Sequence, residues 1–327
     1  MKQASYTVSF LTPAFLGNAE QSGQWRSPPF KALLRQWWRV VYAAENNFQV
    51  DIAAMRTEEG RLFGVAADGA ESRKSQIRIR LTHSKGQGEP WLTGTQQGVA
   101  PLSTGLDTSY AWFGLIKRGN GLPDRSGIKA GQAESSRLLE LAFPEQYEQT
   151  LFEVMTLIDA FGLVGSRSRG GWGALQLESN EEPLTVLSAS QLKAYARPLD
   201  RCLADDWAMS LAKDDAGLCI WESMTEFDTW DKAMRFIAIN RKTVRMALKQ
   251  GKDLRPALGF ASTGRMPSPL RWKVMVPKQG KLQVRAVALP HRIPDDGGKH
   301  LAPGDLQQAW NTVTRTLDNI PAMQRWQ

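Results

Sequence analysis

A glycine-rich segment with two arginines and two serines is the part of the sequence whose residue types point most directly to chemistry. It covers residues 162–173 and reads Gly-Leu-Val-Gly-Ser-Arg-Ser-Arg-Gly-Gly-Trp-Gly. Glycine permits positive φ angles and a close approach of a ligand, and successive backbone amides can then form a concave nest for an anion. Guanidinium groups bind phosphate oxygens through two parallel hydrogen bonds. We therefore predict a phosphate-binding loop whose contacts come from Gly165, Ser166, Arg167, Ser168, Arg169 and Gly171.

The elements on either side of this loop decide which kind of phosphate site it can be. Apolar residues recur at helical spacing from Leu151 to Phe161, and residues 174–178 have a strand pattern. Walker and dinucleotide-binding loops need the opposite order, because their phosphates lie at the N-terminus of a helix that follows the glycines. The order helix, loop, strand excludes both mononucleotide motifs. A glycine-rich turn without a ligand remains the alternative.

A long amphipathic helix is predicted near the N-terminus. It begins at Ser27-Pro28-Pro29, and large apolar residues then follow at helical spacing up to Val41. Basic residues four apart line its other side, and no acidic residue follows within the helix until Glu45. We expect this stripe to be a candidate for phosphate contacts, with a solvated basic face as the alternative. Its members are Arg26, Lys31, Arg35 and Arg39.

Two further segments repeat the combination of regular structure and positive charge. In residues 77–81, isoleucine and leucine alternate with arginine, which indicates a strand with one basic face, and Arg73 and Lys74 precede it. Such a strand suits a phosphate track. In the second half, a predicted helix over 227–248 carries Arg241 and Arg245 on one side. We predict these two as secondary phosphate-binding residues.

The predicted elements give an α+β protein of two domains. Residues 1–182 follow the order strand, helix, strand, strand, helix, strand, which is the ferredoxin-like or RRM-like arrangement. A long insertion over 83–132 interrupts this domain, and its aromatic residues are candidates for stacking on bases. Residues 183–327 show a helix, a hairpin over 270–289 and a second helix. We predict a second, less complete ferredoxin-like domain there.

Composition favours a nucleic-acid partner. The chain has 327 residues, and its 41 Lys+Arg outnumber its 33 Asp+Glu to give a net charge of +8. No stretch suits a signal peptide or a membrane span, so we expect a cytoplasmic protein that does not contact membranes. The two cysteines have no metal-binding spacing, so we expect neither a metal nor another cofactor.

Several of these motifs together resemble the RAMP superfamily of CRISPR proteins, and within it the first subunits of the type III-B Cmr effector. The resemblance covers both halves of the chain. It rests on Phe15-Leu16-Gly17, residues 31–39, Leu62-Phe63-Gly64, residues 165–173 and Pro267-Ser268-Pro269-Leu270. One departure is that the Gly-hydrophobic-Gly opening of the family loop reads Leu163-Val164-Gly165 here.

The resemblance implies a structural role in antiviral defence. It predicts two ferredoxin-like domains that hold guide RNA (crRNA) for pairing with target RNA, together with other Cmr-type subunits in a ribonucleoprotein. An endoribonuclease that processes guide RNA or cleaves target RNA is the alternative within the superfamily. Such an enzyme needs a base near the 2′-hydroxyl, for which the candidates are His83, His291, His300 and Asp107. A DNA-binding or protein-interaction module is the third alternative.

Overall fold

The first half of the chain forms a four-stranded antiparallel sheet with helices on one face. The structure is a computed structural model that describes residues 1–20, 23–66, 72–82, 109–115, 126–131, 136–261, 264–277, 280–294 and 299–326. The elements of this half are β1 (Lys2–Phe10), α1 (Ser27–Glu45), α2 (Ile52–Phe63), β2 (Arg78–Leu81), α3 (Ser109–Trp112), β3 (Arg137–Phe143), α4 (Glu148–Phe161) and β4 (Leu175–Ser179). The strands lie in the order β2-β3-β1-β4, with antiparallel pairing throughout.

The period of two along β1 decides which face of this sheet is covered. Tyr6, Val8 and Phe10 are buried, while the residues between them are only partly buried. The buried side chains join one core with the apolar faces of α1 and α4, which also contact each other. The sequence therefore predicted the first strand and the helix α1 correctly.

Helix α2 was not predicted from the sequence. Leu62 and Phe63 were singled out as part of a family motif, whereas they end a twelve-residue helix whose C-cap is Gly64. Asp51 caps its start by accepting hydrogen bonds from Ala53 N and Ala54 N at 2.8 and 3.1 Å. The helical pattern is hidden because the buried face includes Glu59 and Gly60.

The second half repeats the element order of the first. Its elements are α5 (Ala189–Leu192), β5 (Ala196–Pro198), α6 (Leu199–Cys202), β6 (Leu211–Asp214), β7 (Gly217–Leu218), β8 (Ile220–Ser223), α7 (Trp230–Ala247), β9 (Leu270–Met275), β10 (Gln283–Ala288), α8 (Pro303–Asp318) and β11 (Met323–Arg325). The run from β8 to β11 again reads strand, helix, strand, strand, helix, strand. Its sheet has the order β11-β8-β10-β9, and a small sheet β5-β6-β7 precedes it.

The expectation of a less complete second half is therefore wrong. The first and last strands of this run, β8 and β11, have only four and three residues. Three of the four residues of β8 are buried. Short strands of this kind give no alternating pattern for sequence reasoning to find. The predicted hairpin over 270–289 is confirmed by the antiparallel pairing of β9 with β10. The boundary at residue 182 stays a prediction.

Basic side chains from the second sheet bind the C-terminal end of α4. Lys273 Nζ donates to the carbonyls of Ile158, at 3.3 Å, and Asp159, and Arg285 Nη1 donates to the carbonyl of Ala160 at 3.1 Å. The carbonyl of Ile158 also accepts from the C-cap amide of Gly162 at 2.6 Å. Carbonyls in the last turn of a helix generally lack intrahelical partners, and the helix dipole favours positive charge at this end. Burial lowers the pKa of Lys273 to about 7. The contacts fix α4, and with it the loop that follows, against the second half.

Candidate nucleic-acid interface

The glycine-rich loop has a fixed, internally bonded backbone. Its φ angle is positive at Gly165, Arg167, Gly171 and Gly173. Six of its amides donate to backbone carbonyls. These bonds are Gly162 N to Ile158 O at 2.6 Å, Val164 N to Gly173 O and Ser166 N to Phe15 O at 3.0 Å, and Gly170 N to Arg167 O, Gly171 N to Ser168 O and Gly173 N to Pro13 O at 2.9 Å. Of the residues predicted to form the nest, Ser166 and Gly171 use their amides within the protein. Phosphate binding by the remaining predicted residues stays a prediction.

Two residues predicted to bind RNA instead hold the loop against the second half. The guanidinium of Arg169 donates to the carbonyl of Ser268 at 2.8 Å, and burial lowers its pKa to about 10. Gly171 has a φ of +100°, and a Cβ there would lie 2.8 Å from the sulfur of Met234 on α7. Glycine is required by both the conformation and the space. We therefore assign Arg169 and Gly171 to packing, which corrects the predicted phosphate contacts.

Arg167 lies at the surface beside the basic side of α7. It is exposed, and its guanidinium lies 5.6 Å from the ring centre of Phe113. Arg241 lies against Gly170 of the loop and 5.1 Å from the ring centre of Tyr110. Arg245 Nη1 is 3.5 Å from the carbonyl of Gly259. We call Arg167, Arg241 and Arg245 the arginine cluster.

The charges of the arginine cluster act on one another. The pKa of Arg241 is lowered, first by burial and then by the positive charges of Arg167 and Arg245, while Tyr110 raises it in part. No carboxylate of the described residues forms an ion pair with Arg241 or Arg245. A phosphate would relieve this repulsion between guanidinium groups. The structure thus brings the two predicted secondary residues next to Arg167.

The predicted stripe on α1 is not an open basic face. Glu59 of α2, only 2% exposed, accepts hydrogen bonds from Arg35 Nε at 2.6 Å and from Arg39 Nε and Nη2 at 3.0 and 2.8 Å. Arg39 also lies 5.1 Å from the ring centre of Trp207. The stripe has no acidic partner within α1, as expected, but Glu59 of α2 pairs with two of its members. Arg35 and Arg39 join α1 to α2.

The remaining predicted basic residues do not join the arginine cluster. Lys31 is half-buried, and burial followed by the charge of Arg35 lowers its pKa, whereas Arg26 is exposed just before α1. On β2, Arg80 pairs with Glu140 of β3 at 2.5 and 3.0 Å, which reduces the charge of the predicted track. Arg73 and Lys74 are exposed before that strand.

The second sheet carries buried cations that sequence reasoning missed. Arg271, Lys273 and Arg285 lie on β9 and β10 and are between 1% and 6% exposed. Their alternation with apolar residues is typical of an exposed basic face, and it appears in the sequence as Arg-Trp-Lys-Val. Lys273 and Arg285 bind main-chain carbonyls, and Arg285 also pairs with Glu222 of β8. The guanidinium of Arg271 lies 5.6 Å from the ring centre of Trp37. No local pattern predicts such partners.

Two of the four candidate general bases, His291 and His300, lie among the residues that the structure describes. His291 is buried, its Nδ1 lies 2.8 Å from the carbonyl of Arg292, and burial lowers its pKa. His300 is exposed. His83 and Asp107 lie outside the described residues. In the described ranges, no three histidine, cysteine or acidic residues form a group suited to a metal, and no helix has the length and hydropathy to cross a membrane.

The chain belongs to the RAMP superfamily, whose family model matches residues 7–176, more than half of its length. Among solved structures, the apo crystal structure of Cmr1 from Pyrococcus furiosus is similar over 99% of this chain and 98% of that one, with a TM-score of 0.58 and 17% identity. A chain of a type III-B Cmr-beta structure bound to cognate target RNA matches with a TM-score of 0.49 and 10% identity, over 96% and 100%. No curated protein matches the sequence. The similarity to Cmr1 shows a shared fold along the whole chain.

Proposed function

We propose that this chain is a non-catalytic, guide-RNA-binding subunit of a type III-B CRISPR effector. Membership of the RAMP superfamily and the fold shared with Cmr1 support this assignment. The repeated order of elements and the strand orders β2-β3-β1-β4 and β11-β8-β10-β9 support two ferredoxin-like domains. The partners that we propose are guide RNA, target RNA and other Cmr-type subunits.

The arginine cluster is the observation that carries the proposal. The glycine-rich loop comes from the first half and α7 from the second, yet their guanidinium groups meet on one surface with the rings of Tyr110 and Phe113. Guanidinium groups bind phosphates along a nucleic-acid backbone, and neighbouring aromatic rings suit single strands. Since the loop is braced by α4 and β9, the cluster does not need to form when RNA binds.

Contacts to phosphates suit a guide RNA. Phosphate contacts fix the position of a strand but do not read its sequence. A guide must leave its bases available for pairing with a target, so a subunit that holds it has to bind the backbone. We therefore expect the arginine cluster to bind single-stranded RNA of any sequence with similar affinity.

The proposed role has no catalytic step. Cleavage of RNA without a metal needs a group that removes the proton of the 2′-hydroxyl. The burial of His291 and its contact with the Arg292 carbonyl keep that imidazole away from a bound strand.

Mutation of Asp107 tests the alternative of a nuclease. Asp107→Ala should leave target RNA cleavage by the assembled complex unchanged. A loss of cleavage with intact RNA binding would make this chain the nuclease.

Salt-dependent binding tests the proposed interface. Affinity for a fluorescent single-stranded RNA is measured from 50 to 300 mM salt for the wild type and for Arg167→Ala combined with Arg241→Ala. Each lost phosphate contact should reduce the slope of log affinity against log salt by about 0.7. Arg315→Ala, an exposed arginine on α8, is the matched control and should change nothing. An unchanged slope in the double variant, or a loss confined to particular sequences, would refute backbone binding at this surface.

A further inference from the structure

A short turn of the long insertion is fastened to the glycine-rich loop. It consists of α3 and the residues that follow it up to 115. The side chains of Trp112 and Leu115 are almost completely buried. The indole N–H of Trp172, in the loop, donates to the carbonyl of Ala111 at 2.9 Å, and the rings of Trp112 and Trp172 lie 4.9 Å apart. The turn is therefore anchored on both sides of Phe113.

Phe113 points outward from this anchored turn. Its side chain is 66% exposed, although Trp112 before it and Leu115 after it are buried. A single exposed apolar residue is common on protein surfaces. Phe113 differs because the guanidinium of Arg167 lies over its ring, and because the next residue is Gly114, with a φ of +81°. A Cβ at Gly114 would overlap the Arg167 guanidinium, so glycine allows the arginine to lie beside the ring.

A second pair of a guanidinium and an aromatic ring lies beside Phe113 and Arg167. Tyr110 belongs to the same turn, and Arg241 lies over its ring. A guanidinium therefore lies over each of two rings of the anchored turn. One guanidinium comes from the loop and the other from α7. A ring stacks on a nucleobase, and an adjacent guanidinium binds the phosphate that belongs to it. Both contacts of a single nucleotide are present within one small surface.

We propose that Phe113 is a stacking position for one nucleobase of single-stranded RNA, while Arg167 and Arg241 hold the adjoining phosphates. This inference rests on the proposed function and adds a base contact to it. Because every base has a flat aromatic face, the contact tolerates any sequence. It holds one base against the surface, whereas the arginine contacts hold only the backbone.

A comparison of normal and abasic RNA tests this stacking. Affinities of the full chain for a short single-stranded RNA and for an abasic oligonucleotide of the same length are measured at one salt concentration. Phe113→Leu should weaken binding of the normal RNA roughly 5- to 100-fold and leave the salt slope unchanged. Phe113→Trp should retain the affinity. The abasic oligonucleotide should bind wild type and Phe113→Leu equally.

The controls separate stacking from folding and from the proposed function. Val186→Ala changes an equally exposed apolar residue elsewhere, and it should have no effect on RNA affinity. Equal losses by Phe113→Leu on normal and abasic RNA would overturn stacking, as would an unchanged affinity for normal RNA. In either case, binding that still depends on Arg167 would leave the proposed function intact. Absence of RNA binding by the folded wild type would overturn both.

Discussion

Removal of the Glu59 carboxylate should destabilise the protein. This carboxylate is 2% exposed and accepts three hydrogen bonds from two guanidinium groups, at 2.6, 2.8 and 3.0 Å. Loss of one partner in a buried ion pair destabilises a protein by about 3–5 kcal/mol. Here the side chains of Arg35 and Arg39 are 42% and 30% exposed, so water compensates in part. For Glu59→Gln we therefore expect a loss of about 2–3 kcal/mol.

Urea denaturation followed by tryptophan fluorescence measures this loss. With a denaturant slope of about 3 kcal/mol per M for a chain of this size, the midpoint should fall by roughly 0.7–1 M. Glu178→Gln, which changes an exposed acid on β4, is the matched control and should shift stability by less than about 0.5 kcal/mol. If Glu59→Gln is as stable as the Glu178 variant, the contact of α1 with α2 does not depend on this pair.

Mutation of the arginines that bind Glu59 should lower stability without changing RNA binding. Arg35→Ala and Arg39→Ala should each lower the urea midpoint because Glu59 loses a partner. Neither should change the salt slope of RNA binding, since their guanidinium groups bind the carboxylate. A reduced slope in either variant would restore the α1 stripe to the RNA interface.

Two further predictions concern how the loop and the second sheet are held. Gly171→Ala should lower the free energy of unfolding by about 2 kcal/mol, because alanine is strained at positive φ and its Cβ meets Met234 on α7. A variant that is as stable as the wild type in urea would refute this packing. Burial lowers the pKa of Lys273 from 10.5 to about 7, so the unfolded state binds more protons between these values and stability should rise with pH there, by up to about 1.4 kcal/mol per pH unit. Lys273→Met should lose this rise between pH 7 and 9.5, and an identical pH dependence in both proteins would show that Lys273 stays charged when folded.

Local patterns in the sequence predicted the elements with a clear period. The apolar side of α1, the alternation along β1 and the glycine-rich loop between α4 and β4 follow from residue spacing alone. Helix α2 was missed because Glu59 stands on its buried side, where an apolar residue is expected. The strands β8 and β11 were missed because they are too short to show a period.

Whether a charged side chain has a partner could not be predicted, because the partners come from distant parts of the chain. The sequence placed Arg35 and Arg39 on one side of a helix but gave no sign that Glu59, from another helix, binds both. Likewise, Arg241 is 74 positions from Arg167, and only the packing of α7 on the loop brings them together. Helical spacing identified both basic sides, and tertiary contacts decided which one is paired with a carboxylate.

Sequencing of the RNA that accompanies the chain tests the central claim most directly. The tagged protein is isolated from its native host at moderate salt, in parallel with the Arg167→Ala, Arg241→Ala double variant, and the short RNAs of both preparations are sequenced. The account predicts RNAs with one shared repeat-derived flank and variable interiors in the wild type, and a clear reduction of these RNAs in the variant. A folded wild type without RNA above background, or equal recovery by both proteins, would contradict guide-RNA binding through the arginine cluster.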